Sequence, residues 1–225
     1  MNDDPYCWPG TRCLRNFLDL RDAEKLDTAE HEIVAVRTVE LTASVVPGAY
    51  DAAHLLRFHR LLFQDVYDWA GQIRVGNISK GNVPFCPAQH IGARMDQLFA
   101  GLAARGFLGS RERRPFVAAF ASLYGELNAI HPFREGNGRT QRAFLRQLAA
   151  HAGWTVRWEL LERRANDGAC REYCRSGRTS TMIELLAPII EPRATWPDQR
   201  READQAPADG GSGEPAASPR SATHR

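Results

Sequence analysis

His131-Pro132-Phe133-Arg134-Glu135-Gly136-Asn137-Gly138-Arg139-Thr140-Gln141-Arg142 stands between the two strongest helical patterns of the chain. Gly136 and Gly138 flank an asparagine just before a helix begins. Glycine tolerates positive φ and close approach, so consecutive backbone N–H groups here can form an anion-binding nest. The helix that follows adds its unpaired N–H groups and the positive end of its dipole. Arg139 and Arg142, three residues apart in the first turn, share one side of that helix. Together these residues suit a polyphosphate. Glu135 is placed to hold Mg²⁺ against such phosphates, because magnesium is commonly bound by one or two carboxylates plus substrate oxygens. His131 is the candidate base: with an ordinary pKa of about 6.5 it can take a proton from a hydroxyl near neutral pH. Phe133 points into the core and Pro132 stiffens the loop. A plain turn between helices also uses Gly and Asn, and a histidine is more often structural than catalytic, so the residues alone leave both readings open.

Working outward, Phe116, Ala119, Phe120, Leu123, Tyr124 and Leu127 form an apolar stripe behind Pro115, which predicts a central buried helix before the motif. After it, a helix from Arg139 turns Phe144, Leu145, Leu148, Ala149 and Ala152 inward and ends near Gly153. Earlier in the chain, Leu26, Ala29, Ile33 and Val36 follow helical spacing. Asp51 is a predicted N-cap for Leu55, Phe58, His59, Leu62 and Phe63. Another helical stretch runs through Ile183 to Ile189. The exception is Gln72 to Ile78 and Val83-Pro84-Phe85 around Lys80-Gly81-Asn82, which predicts a β-hairpin. Pro84 has no N–H for a ladder, so the hairpin must be an edge or isolated element. The expected fold class is all-α with one small β-hairpin.

The 225 residues are 43% hydrophobic and 25% charged, with a net charge of +2. That balance excludes a chain disordered throughout and leaves no overall field to draw in nucleic acid or anionic lipid. No apolar run approaches the roughly 20 residues that span a bilayer. Met1 to Gly10 lacks the basic and apolar regions of a signal peptide, so a cytoplasmic protein is expected. Five cysteines without a C-x-x-C pair predict free thiols, although Cys170 and Cys174 at i, i+4 spacing could join His151 at a metal. Residues 193–225 lose their large aliphatics and gain Pro and the run Gly210-Gly211-Ser212-Gly213. This predicts a disordered tail behind one domain spanning residues 1–192.

The twelve residues from His131 to Arg142 match, without a gap, the H-P-F-x-[D/E]-G-N-G-R-x-x-R signature of Fic domains, and the chain is identified on them as resembling that family. The likeness extends to Phe63 through Arg74, similar to the helix end before the Fic flap; to Ile78 through Cys86, similar to the flap; and to Tyr6 through Leu41, similar to the leading segment of bacterial members. The resemblance implies a mostly helical fold and transfer of AMP from ATP to a Ser, Thr or Tyr hydroxyl of a target protein. It implies His131 as base, Glu135 as the Mg²⁺ ligand, Gly136, Asn137 and Gly138 around the α-phosphate, and Arg139 and Arg142 on the β- and γ-phosphates. The flap residues Ile78, Ser79, Lys80, Gly81 and Asn82 would clamp the target by strand addition.

Gly138 stands where the Doc-like kinases carry lysine, and Gly136 where phosphocholine-transferring relatives tend to carry Ala, so both positions favour AMP transfer. Many members are held off by a helix of pattern [S/T]-x-x-x-E-[G/N] whose glutamate meets the second motif arginine, here Arg142. Thr28/Glu32, Ser122/Glu126, Thr155/Glu159 and Ser180/Glu184 have the spacing, but none completes the pattern. The resemblance therefore points to a FicT-type toxin restrained by a small antitoxin in trans, docking near Ile33 to Leu41. Type II topoisomerases are the first target to consider. Membrane and direct nucleic-acid binding are not expected. The alternatives are a type IV secreted effector, translocated into a host cell, and a non-catalytic module that binds nucleotide or partner only.

Overall fold

Helix α4 (Arg113–Ile130) runs through the middle of the molecule, with Phe116, Val117, Phe120, Ala121, Leu123, Tyr124, Leu127 and Ile130 buried along it. Each large apolar side chain withdrawn from water contributes about 1.5–3 kcal/mol before the entropy of ordering is subtracted, so this helix anchors the principal core. The computed structural model describes residues 4–109 and 112–193, which form one compact unit; the expected tail, residues 193–225, lies outside the described residues except for Arg193.

Among the described residues seven α-helices surround the motif: α1 (Ala23–Ala43), α2 (Ala52–Phe63), α3 (Ile91–Ala104), α4, α5 (Asn137–His151), α6 (Arg163–Ser176) and α7 (Ser180–Leu186). α4 packs against α3, α5, α6 and α7, while α2 lies along α5. The all-α class expected from periodicity is the fold observed. Asp51 caps α2 as predicted, accepting from the His54 N–H at 2.8 Å, and Asp22 caps α1 through the Glu24 N–H at 2.9 Å. Such caps contribute about 1 kcal/mol each. No helix among the described residues is long and apolar enough to cross a membrane.

Three expectations are corrected. The hairpin is shorter than predicted: β1 (Ser79–Lys80) pairs antiparallel with β2 (Val83–Pro84), Ser79 opposite Pro84. Gln72 to Asn77 is irregular, because its backbone and Arg74 bond to the motif loop instead of to a partner strand. Helix α5 begins at Asn137, two residues before Arg139, since the first helical turn needs no apolar periodicity. On α1 the fully buried residues are Leu26, Glu30 and Val34; of the expected stripe Ile33 packs only in part against the second core and Val36 is left 60% exposed, because a carboxylate with two partners takes an interior position. Helices α3 and α6 went unpredicted, as did β3 (Trp154–Val156), which pairs antiparallel with β4 (Ile190–Pro192) and ties the exits of α5 and α7 together. A second, smaller core joins the leading segment, α1 and the end of α2 around Phe63, Val66, Tyr67 and Trp69.

Candidate active site

The motif occupies the junction of α4 and α5, where the chain must reverse. His131 caps α4 in the left-handed region, φ 48° and ψ 63°, a conformation uncommon for a residue with a Cβ and kept only where its surroundings enforce it. Arg74 enforces it. Its Nε donates to the His131 carbonyl at 2.8 Å, and its backbone N–H donates to Pro132 at 2.9 Å. The remaining guanidinium nitrogens donate to Gly76 at 2.7 Å, Cys86 at 2.5 Å and Ile130 at 3.3 Å. Arg74 is 2% exposed, and these partners are carbonyls alone. One buried fork thus fastens both feet of the flap to the end of α4.

The imidazole of His131 donates from Nδ1–H to the Asn128 carbonyl at 3.1 Å, which leaves the Nε2 lone pair as its basic atom. Phe85 lies flat against the ring, centroids 3.7 Å apart and planes 10° from parallel. Burial pushes the His131 pKa down to about 4, and the nearby Arg74 and Lys80 cations push the same way. The ring is therefore neutral at neutral pH.

The loop between the helices is closed by Asn137, whose Oδ1 accepts from the Phe133 N–H at 2.9 Å and whose Nδ2 donates to the Phe133 carbonyl at 2.8 Å. Asn137 is buried and contributes to the cleft through its backbone. Phe133 points into the core as expected, stacked on His59 at 3.9 Å. His59 is fully buried and accepts from the Gly71 N–H at Nδ1, 2.7 Å, so its Nε2–H donates to the Glu135 carbonyl at 3.0 Å. Sequence periodicity placed His59 on an apolar stripe; the structure makes it a strut under Glu135. Burial lowers its pKa to about 4.

Gly136 sits at φ 80°, and a Cβ there would meet the Phe63 ring at 2.3 Å. Its N–H donates to its neighbour's Glu135 Oε1 at 2.8 Å. The N–H groups of Asn137, Gly138 and Arg139 open α5 with no acceptor among the described residues, which is the donor arrangement an anion takes up. At Gly138 a Cβ would meet Arg142 Nη1 at 3.2 Å, so the bare backbone leaves room for that arginine. Arg142 makes no hydrogen bond or ion pair among the described residues and lines the cleft. Arg139 also lines it, but its guanidinium is engaged: with Glu30 at 2.5 Å, with Glu135 at 3.3 Å, and over the Phe63 ring at 4.8 Å. Glu30 in turn accepts from the Tyr67 hydroxyl.

These residues meet in one cleft of about 660 Å³, walled by α5, by the flap residues Lys80, Val83 and Phe85, and by Asn166, Asp167 and Cys174 of α6. Lys80 crosses its mouth to Asp167 at 2.8 Å. Ser79 to Asn82 project as the exposed tip, beside Ile78. Glu135, with a carboxylate 46% exposed, gives the cleft one hard oxygen donor next to the phosphate-sized N–H array. That is the donor set magnesium takes when substrate phosphates supply the rest. The four Ser/Thr-x-x-x-Glu spacings do not reach Arg142; Glu126, for instance, is bonded to Arg94 and Tyr173.

A family model described as the Fic/DOC family matches residues 49–149. The "Probable protein adenylyltransferase Fic" of Escherichia coli (strain K12) is 40% identical over 162 residues, 72% of this chain and 80% of that protein. The chain belongs to the Fic/DOC family. Within it, the "Protein adenylyltransferase VbhT" of Bartonella schoenbuchensis is 37% identical across 81% of this chain, which matches 38% of that longer Fic protein. Among solved Fic structures, BepC of Bartonella tribocorum, a VirB-translocated effector crystallised with AMPPNP, superposes with a TM-score of 0.80 at 27% identity, covering 84% of this chain and 97% of that one.

Proposed function

We propose that this Fic protein is a protein adenylyltransferase, transferring AMP from ATP to a Ser, Thr or Tyr hydroxyl of a target protein. The observation that carries it is the convergence, in one cleft, of an imidazole with a free Nε2 lone pair, three N–H groups opening α5 and Arg142, all without a partner among the described residues. The N–H groups of Asn137, Gly138 and Arg139 hold the α-phosphate region. Arg142 takes the terminal phosphates, with Arg139 reaching them as it leaves Glu30. The target hydroxyl oxygen attacks the α-phosphorus, His131 Nε2 accepts its proton, the bond from the α-phosphorus to the bridging oxygen breaks, and pyrophosphate leaves. Mg²⁺ held by Glu135, when bound, would neutralise charge building on the phosphates. Hydroxyl and base are brought together by the flap, whose tip, Ile78 to Asn82, takes an extended target segment as an added strand.

The test is label transfer from ATP labelled at the α- or γ-phosphate to lysate proteins. α-Label is expected on discrete bands and absent with His131→Ala, while that variant still binds ATP. γ-Label in place of α-label would overturn the proposal.

We further infer a toxin restrained in trans. Arg142 is open to an incoming carboxylate, and no glutamate of the four candidate spacings occupies it, so the inhibitory group would come from a small partner helix docking along Ile33 to Leu41. A type II topoisomerase is the first target to assay. The BepC likeness favours one second reading, a secreted effector, distinguished by whether labelled targets belong to the bacterium or to a host-cell lysate.

A further inference from the structure

Phe85 is half-buried and belongs to neither hydrophobic core; its ring is committed to His131, 3.7 Å away and 10° from parallel. Its backbone is held on both sides. Its N–H donates to Ile78 at 3.2 Å, extending the hairpin beyond the Ser79–Pro84 pair, and the next residue, Cys86, donates to Ala129 on α4 at 3.0 Å while accepting from Arg74 at 2.5 Å. The phenyl group is thus a rigid projection of the flap's descending arm laid on the face of the base. With Nδ1–H bonded to Asn128, the imidazole is held at one edge and covered on one face, so rotation about its own side-chain bond is blocked.

We propose that Phe85 is a positioning residue for the transfer reaction: the flap's phenyl ring fixes the plane of the His131 imidazole, so that Nε2 is aimed at the hydroxyl of a segment lying on that same flap. The inference rests on the adenylyl transfer proposed above. Its physical basis is that a target strand and the base that deprotonates it are referenced to one piece of backbone instead of two, which removes relative motion from the reacting geometry; misplacement by about 1 Å costs roughly a hundredfold in rate. The same cover keeps water off one face of the ring. The charged groups around it are Arg74 and Lys80 on the flap arms, with Asp167 of α6 taken up by Lys80 and Glu135 of the motif loop taken up by Arg139 and the Gly136 N–H. α4 contributes only the neutral Asn128. Removing the phenyl group leaves those charges in place, so a shift of the His131 titration reports the solvation of the ring.

The experiment compares the full chain with Phe85→Ala, Phe85→Leu and Phe85→Tyr, reading α-label transfer to lysate bands against ATP concentration and pH, and the His131 ring titration by NMR. Phe85→Ala is expected to lower kcat about 10- to 100-fold with KM for ATP within twofold, and to move the His131 titration up from about 4 toward 6.5. Phe85→Tyr, which keeps a flat ring, should recover most of the rate. Phe85→Leu, apolar but not flat, should not. Equal rates for Leu and Tyr, an unchanged kcat in Phe85→Ala, or a loss confined to KM for ATP would each overturn the role. A wild-type chain that transfers no α-label overturns the transferase proposal instead, and the NMR titration still decides whether Phe85 governs the imidazole.

Discussion

His131 and His59 are both held neutral, for different ends. One keeps a lone pair for the hydroxyl; the other spends its lone pair on the Gly71 N–H and its proton on the Glu135 carbonyl. Their folded-state pKa values lie near 4 against 6.5 when exposed. The unfolded chain therefore binds more protons as pH falls below 6.5, and the stability present above that pH is lost progressively down to about 4. For the fully buried His59 the loss approaches about 3 kcal/mol. Urea midpoints should fall between pH 7 and pH 5, and His59→Gln should flatten that dependence while lowering stability throughout. The twelve contiguous motif residues made His131, Glu135 and the glycines legible in sequence. His59, Arg74 and Phe85 were not, because their partners are backbone carbonyls or rings far along the chain: Glu135 is 76 residues from His59, and His131 is 57 from Arg74. A carbonyl leaves no trace in residue identity.

At the scale of elements, the start of α5 does the most with the least. Gly136 must hold φ 80° and lie where a Cβ would enter the Phe63 ring, so Gly136→Ala carries both backbone strain and a clash. It should cost about 2 kcal/mol or more and abolish label transfer; thermal unfolding and α-label incorporation measure the two effects. The flap tip is the opposite case. Lys80 and Asp167 are an exposed pair whose removal should change stability by less than about 1 kcal/mol. Asp167→Asn should raise KM for the protein target and leave KM for ATP unchanged, read by steady-state labelling at varied target concentration. Helices α2, α4, α5 and α7 were legible because they present one apolar stripe to a core. α6, a helix rich in charged residues, and α3, which begins behind a 3-10 turn, gave weaker patterns.

Over the whole molecule, the leading segment and α1 complete the motif from outside it. Asp4 holds Arg134 at 2.6 Å, and Glu30 holds Arg139 at 2.5 Å. Glu30 was missed because its i, i+4 partners on the inward face are Leu26 and Val34, and a carboxylate there breaks the expected apolar pattern. Without Glu30, Arg139 still has Glu135 and the Phe63 face, but the buried Tyr67 hydroxyl loses its acceptor, at about 1–3 kcal/mol. Glu30→Ala should therefore lower the melting temperature by several degrees, whereas Glu30→Gln, whose one oxygen still accepts from Arg139 while its amide nitrogen can only donate to the Tyr67 hydroxyl oxygen, should lower it less. Differential scanning calorimetry separates them. The grip of Arg74 has one more consequence. Because a single guanidinium pins the chain at Gly76 and again at Cys86, the feet of the tip are anchored by a residue outside it. Residues 79–84 are in effect an exchangeable cassette: swapping them for the tip of a relative should transplant target choice and leave the machinery that handles ATP as it was.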